Sequence, residues 1–338
     1  MPAGMPKPPF EAELRTLVEV GGTDAPDQIR VVFNKNYFEI NGKDGSDTNP
    51  VLISDKDIGV KREATADSIK VKCIEGFTTQ QEIKVYVYPK GTLAKPVAEQ
   101  LFARKLAGKI IVLPNKNTTG QNAVKNIKEQ KFVFVKVTTD IFGAGMSIGN
   151  FTPDDKNNLQ KCLYQSLIYG DFEDAANNLD LSSNLDFKVG GKYVDALGKL
   201  NMEEPTFHSN LRNLFLNIRD ASGGLINSRY NNYFTFFILK ADSISGAPGQ
   251  VEKIGVKNAV FLDGTNGRWP TTCAHEGLHG MGLLHTHRNG AITKPNQKFT
   301  FVHAGTNSSL GTDNIMSYNA TIRKIIWYWQ WKIIRSNV

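Results

Sequence analysis

The chain has 338 residues, 40% of them apolar and 22% charged, and its 40 basic and 33 acidic side chains leave a net charge of +7. These are globular proportions and exclude wholesale disorder. The excess charge is spread without a run of five like charges, which excludes the clustered Lys/Arg face of a nucleic-acid binder. No stretch reaches the 18 apolar residues of a membrane span, and the best run, Tyr233 to Leu239, suits a buried strand. The start, Met1-Pro-Ala-Gly-Met-Pro-Lys-Pro-Pro9, lacks the apolar centre of a signal peptide. Three routes stay open: retention inside the cell, expression without a leader, or export by a leaderless path. Cys73, Cys162 and Cys273 are too few and too scattered for a disulfide framework and read as buried free thiols.

In chain order, Ile29 to Phe33, Ile69 to Cys73 and Ile83 to Tyr88 alternate apolar and polar residues, wholly or in part. Turn-rich pieces such as Asn41-Gly-Lys-Asp-Gly-Ser46 separate them. Antiparallel strands with one wet face have this pattern, so residues 1–90 are expected to form a small all-β accessory or docking domain. Pro89-Lys-Gly91 marks the expected boundary, and residues 91–338 the second domain. There, Lys109 to Leu113 and Phe132 to Val137 predict strands. Thr152 and Pro153 open a helix with Asp154 and Asp155 in its first turn, Leu159, Cys162, Leu163, Ser166 and Leu167 on its apolar face, and Gly170 at its close. An amphipathic segment near Leu211 to Ile218 precedes two strands, Phe234 to Leu239 and Ala259 to Leu262. No internal repeat is evident, which disfavours a solenoid.

The chemistry is concentrated in Trp269-Pro-Thr-Thr-Cys-Ala-His-Glu-Gly-Leu-His-Gly-Met-Gly-Leu-Leu-His285. Pro270 to Thr272 supply a helix start. On that helix His275 and His279 stand four apart and project from one face, the separation that puts two nitrogens on one zinc ion. Glu276 sits one position on, beside the open coordination position. Gly282 lets the chain turn so that His285 returns towards the same ion. Ala274, Leu278 and Met281 form a stripe to pack on a core, and Cys273, Gly277 and Gly280 a small-residue face for close approach of another element. Only six histidines occur in the chain, and three of them fall within these eleven positions; a chance match is a poor account of that.

The run His275-Glu-Gly-Leu-His279-Gly-Met-Gly282-Leu-Leu-His285 resembles the metzincin signature HExxHxxGxxH, and Asn314-Ile-Met-Ser-Tyr318 resembles the Met-turn that follows it. The resemblance covers the chain from about Phe234 onward and points to the metzincin clan, with no family assigned. The residue after the third histidine is Thr286, where astacins have Glu and serralysins Pro, and no glycine-rich calcium repeats of the serralysin kind occur. It implies an α+β catalytic domain: a twisted mixed sheet, an active-site helix, a Met-turn and a C-terminal helix. It implies one catalytic Zn2+ on His275, His279 and His285, Met316 as the apolar floor beneath them, and Glu276 as general base. Tyr318 is similar to the Met-turn tyrosine of astacins and serralysins, an oxyanion stabiliser. Ala259, Val260, Phe261 and Leu262 correspond to the edge strand that pairs with an extended polypeptide substrate, with the segment between His285 and Met316 building much of the specificity pocket.

The expected function is therefore a zinc metalloendopeptidase acting on polypeptides, an exported bacterial effector or toxin protease being one setting for it. Two other readings stand beside it: a zinc hydrolase directed at peptidoglycan, and a catalytically silent binding protein, against which the intact Glu276 argues. His287 and His303 are read as surface or supporting histidines rather than a fourth ligand, and His208 as a loop residue. The β-rich front part is read as an inhibitory prosegment, an accessory domain, or, preferentially, a docking module for a secretion or delivery apparatus. Cys73, in Val71-Lys-Cys-Ile-Glu75, does not match the known cysteine switch.

Overall fold

The computed structural model describes residues 11–18, 26–53, 62–115, 128–265, 267–287, 312–318, 323 and 325–338. The chain forms two compact units, 1–127 and 128–338.

In the first unit, β1 (Glu11–Val18), β3 (Phe38–Ile40) and β5 (Arg62–Cys73) make one antiparallel sheet in the order β1-β5-β3. β2 (Gln28–Val32), β4 (Val51–Leu52), β6 (Gln81–Tyr88) and β7 (Lys105–Val112) make a second in the order β4-β2-β6-β7. Their inward residues, among them Ile29, Val31, Phe38, Ile40, Ile69 and Ile83, share one core. The all-β expectation holds for these strands, but the expected boundary at Pro89 to Gly91 does not. Gly91 takes φ +77° in a turn whose N–H donates to Asp27 Oδ1 at 3.0 Å. Beyond it, α1 (Val97–Ala103) leads into β7, which pairs antiparallel with β6 along its length. That ladder keeps residues 91–112 in the first unit.

The second unit is built on a largely parallel sheet. β8 (Lys128–Thr139), β10 (Ile168–Asp174), β12 (Phe234–Leu239), β13 (Gly249–Val251) and β14 (Asn258–Leu262) run in the order β10-β8-β12-β14-β13, with short β9 (Ser147–Ile148) and β11 (Leu179–Asp180) also pairing with β8. β10, β8, β12 and β14 are mutually parallel; β13 is antiparallel to its neighbour β14, and short β9 is antiparallel to β8. Every residue of β12 and β14 is buried, as strands covered on both faces require. Alternate side chains feed two cores. Phe132, Phe134, Phe234, Phe236, Ala259 and Phe261 point to the side of α2 (Pro153–Gln165), α4 (Thr272–Gly280) and α5 (Tyr328–Ser336). Val133, Val135, Phe237, Val260 and Leu262 point to the side of α3 (Phe207–Leu216). The architecture is mixed α+β, and among the described residues no helix is long and apolar enough to cross a membrane.

The expected start of α2 is present: Asp155 Oδ2 accepts the Thr152 N–H at 2.7 Å. Its expected stop is not. The chain leaves the helix at Leu167, which itself takes a left-handed φ of +53°. Gly170 lies inside β10, where a Cβ would come within 2.4 Å of the Phe172 ring and 2.9 Å of Leu163, so its smallness serves packing rather than termination.

Asp155 also ties α2 to the approach of α4. It accepts from Arg268 Nε at 3.3 Å and from Arg268 Nη2, and both side chains are almost wholly enclosed, 1% and 6% exposed. Asp155→Ala would strand a buried guanidinium and uncap α2. We expect a loss of about 3–5 kcal/mol in unfolding free energy, read as a lower urea midpoint with unchanged slope.

Candidate metal centre

α4 begins after Thr271 and ends in a Schellman motif: Leu283 N–H donates to Leu278 O at 3.0 Å and Gly282 N–H to His279 O at 2.9 Å. The motif needs a left-handed residue, and Gly282 supplies it with φ +95°. The helix is drawn hard onto the sheet and α2. A Cβ at Gly277 would lie 3.1 Å from both Leu159 and Phe236, and one at Gly280 would lie 2.2 Å from the Phe234 ring. Ala274, Leu278 and Met281 are fully buried in the same core. Both faces expected of this helix are present.

The opposite face carries the histidines. The Nε2 atoms of His275, His279 and His285 converge: 3.2 Å from His275 to His279, 3.2 Å from His275 to His285 and 3.0 Å from His279 to His285. The other ring nitrogens decide the tautomers of two of them. His275 Nδ1 lies 2.7 Å from Ile315 O and His279 Nδ1 lies 2.6 Å from Leu283 O. A carbonyl oxygen can only accept, so each Nδ1 carries the proton and each Nε2 presents a bare lone pair. Desolvation holds His275 well below its ordinary pKa, with His279, His285 and Arg323 adding to the effect, and holds His279 at about 4. Both are neutral at physiological pH. Lone pairs facing one another at this distance repel unless a cation lies among them. Three nitrogens about 2.0–2.1 Å from one tetrahedral ion stand about 3.3–3.4 Å apart, close to the separations here. The donor set fits a metal ion.

Glu276 follows His275 and keeps one face to solvent, yet desolvation pushes its carboxyl up to about 8, opposed by the Val251 N–H and the charge of Arg323. Its Oε2 accepts from the Val251 N–H at 3.1 Å. That contact places the glutamate against β13, and here the edge-strand expectation needs correction. Ala259 to Leu262 belong to β14, which has β12 on one side and β13 on the other, and all are buried. β13 is the outermost strand on that side among the described residues. Leu262 N–H donates to Pro248 O and Glu252 N–H to Asn258 O, both at 2.9 Å. Alternate residues face β14, so the main-chain groups of Gly249 and Val251 face outward.

Met316 is fully buried, and its carbonyl accepts the Thr286 N–H at 3.3 Å. The residue after the third histidine therefore bonds to the main chain of Met316. Tyr318 is 44% exposed, its ring centroid 4.6 Å from that of His285 and 5.9 Å from that of His275. Burial, then Glu276, raises its pKa, while Arg323 lowers it. His287, expected at the surface or in support, is buried and stacked on His285 with centroids 4.7 Å apart, its centroid also 4.5 Å from that of Tyr318. His208 is neither in a loop nor at the site: it is buried on α3, with Nε2 3.2 Å from Gln250 O. His303 and most of the segment expected to build the pocket lie outside the described residues.

Arg323 had no pattern to announce it. Its Nη1 donates to Ser317 O at 3.2 Å and its Nη2 to Thr271 Oγ1 at 3.1 Å, tying the turn after Met316 to the start of α4. β13 was hidden by its length, three residues being too few to show alternation.

The chain matches no family model and no curated protein.

With Co2+ as the probe, the native chain should take up one ion, and Ala at His275, His279 or His285 should each weaken binding by at least about 100-fold. His208→Asn should leave stoichiometry and affinity unchanged. Metal titration followed by visible absorption checks both.

Proposed function

We propose that the chain is a zinc-dependent endopeptidase whose residues 128–338 form a metzincin-type catalytic domain. The observation that carries this reading is the convergence of three histidine Nε2 atoms beside a glutamate lodged against an outward-facing strand edge. The sequence HExxHxxGxxH, the Schellman turn at Gly282 and the buried Met316, next to the Ile315 carbonyl that receives His275, support the same reading.

His275, His279 and His285 would hold the ion, which when bound supplies Lewis acidity toward a carbonyl and toward water. The chain's own groups do the rest. The outward N–H and C=O groups of Gly249 and the C=O of Val251 bind an extended peptide as an added strand. Glu276 takes a proton from the attacking water at a carboxylate oxygen and passes it to the departing amide nitrogen, leaving a carboxylic acid and an amine. A carboxyl poised near neutrality suits both transfers. The Tyr318 hydroxyl, at the exposed rim of the histidines, donates to the oxygen that gains charge as the carbonyl becomes tetrahedral. A silent binding protein would have no use for Glu276 in this position. The first unit fits docking better than inhibition by a thiol: Cys73 Sγ donates to Glu75 O at 3.2 Å and accepts from Asn115 Nδ2 at 3.4 Å, within its own sandwich.

Glu276→Gln keeps the volume and removes the base. Zinc should stay bound while peptide turnover falls by roughly 10²–10⁴-fold; casein and peptidoglycan assayed in parallel separate the two hydrolase readings, and turnover within a few-fold of native sinks the mechanism. Tyr318→Phe should lower kcat and kcat/KM together by about 10²-fold and leave KM and zinc affinity nearly unchanged. A lower melting temperature with native kcat would make the tyrosine structural only.

A further inference from the structure

α5 contributes no ligand, yet it holds the turn that orients one. Gln330 lies in its first turn, fully buried, opposite the equally buried Asn314. Gln330 Oε1 accepts the Trp327 N–H at 2.8 Å and the Asn314 Nδ2–H at 2.7 Å, and Gln330 Nε2 donates back to Asn314 Oδ1 at 3.1 Å. Asn314 Oδ1 also accepts the Met316 N–H at 2.9 Å. Between these two residues stands Ile315, whose N–H donates to Ile325 O at 2.8 Å and whose carbonyl accepts from His275 Nδ1. The path from α5 to the imidazole is thus an unbroken set of hydrogen bonds and one peptide turn. The same helix bounds the other oriented histidine: at Gly282, just before the Leu283 carbonyl that receives His279, a Cβ would lie 2.8 Å from Asn337 Nδ2 and 3.3 Å from Ile333.

An apolar pair would fill this space without the risk of unsatisfied amides, since replacing both members of a buried polar pair by matched apolar groups is often neutral for stability. What the amides add is direction. A carboxamide has a donor end and an acceptor end, so a reciprocal pair admits one mutual orientation.

We propose that Gln330 is a positioning residue of the metal centre: through Asn314 it fixes the main chain of residues 314–316, so that the Ile315 carbonyl holds the His275 ring with its Nε2 lone pair aimed at the ion. The inference rests on the metal reading of the three histidines and not on the peptidase activity.

The test compares folded full-length variants by zinc affinity, from chelator competition, and by the visible spectrum of the Co2+-loaded protein. Gln330→Met keeps the length and loses both ends of the amide. It should weaken zinc binding about tenfold, in the range found when partners behind a ligand are removed, and shift the cobalt bands. Ile334→Ala, also fully buried on α5, is the control for lost packing: it should lower the melting temperature and leave zinc affinity and the cobalt spectrum native. If Gln330→Met does not fold, Gln330→Leu takes its place, likewise losing both ends of the amide, with the same expected direction. Zinc affinity within twofold of native in the folded Gln330 variant overturns the proposal, as does an equal loss in Ile334→Ala. A chain that binds zinc as expected but cleaves no peptide refutes the peptidase reading and leaves this one standing.

Discussion

Three imidazole Nε2 atoms converging to about 3 Å from one another, two of them bare lone pairs on rings withdrawn from water, are an arrangement that a protein does not hold by accident. Each ring has lost its hydration, and the lone pairs repel one another. Left alone, such rings turn away or exchange protons to make ordinary hydrogen bonds. Here two of them are denied that freedom, because their Nδ1 protons are committed to the carbonyls of Ile315 and Leu283. Much of the second unit follows from keeping those two carbonyls in place. Leu283 is set by the Schellman turn, which requires Gly282 and is closed over by α5; Ile315 is set by the turn at 314–317, which Asn314 and Arg323 tie to its neighbours.

The sheet supplies the rigidity behind this. Phenylalanines from three adjacent parallel strands pack on one another beneath α4: Phe132 lies 5.3 Å from Phe234, and Phe236 lies 4.9 Å from Phe261. Such aromatic contacts have preferred geometries and resist sliding. Gly277 and Gly280 let the helix backbone descend onto those rings, and the histidine face is turned away from the core as a result. A side chain at Gly280 would lift one end of the helix and move His279 with it. The small residues and the ligands are two aspects of one helical placement.

The ligands were legible in the sequence because their spacing is local. Positions i and i+4 share a helix face, and glycine at a turn is a strong mark. The strands were legible where alternation or β-branching was dense, as in β6, β8 and β12. What escaped depended on pairing over distance. The run Ala259 to Leu262 lacks polar residues, as two-sided burial produces; the edge, Gly249 to Val251, is too short to carry a pattern. The first unit's boundary was missed because β7 returns to β6 after a turn and a helix, and nothing in Pro89 to Gly91 foretells that return. Leu167 in the left-handed region is a tertiary decision, made where β10 begins immediately after α2. Arg323, Gln330 and Asn314 are single residues, each with a partner 16 or more positions away: Asn314 and Gln330 in one another, Arg323 in Thr271.

The contact between Glu276 and Val251 joins the strand edge to the chemistry. The Val251 N–H points outward from β13 and is already engaged by Glu276 Oε2. A peptide laid along β13 as a further strand would offer its own carbonyl to that N–H, in competition with the carboxylate. The carboxylate then loses a donor that favours its charged form while more of its water is excluded, and both changes make it a stronger proton acceptor. Arg323 acts in the opposite sense, its charge lowering both Glu276 and Tyr318. The glutamate is therefore set between two influences: one fixed by the fold through Arg323, and one that changes when a strand is added at the edge. In the proposed peptidase, seating of substrate and activation of the base are consequences of the same hydrogen-bond exchange.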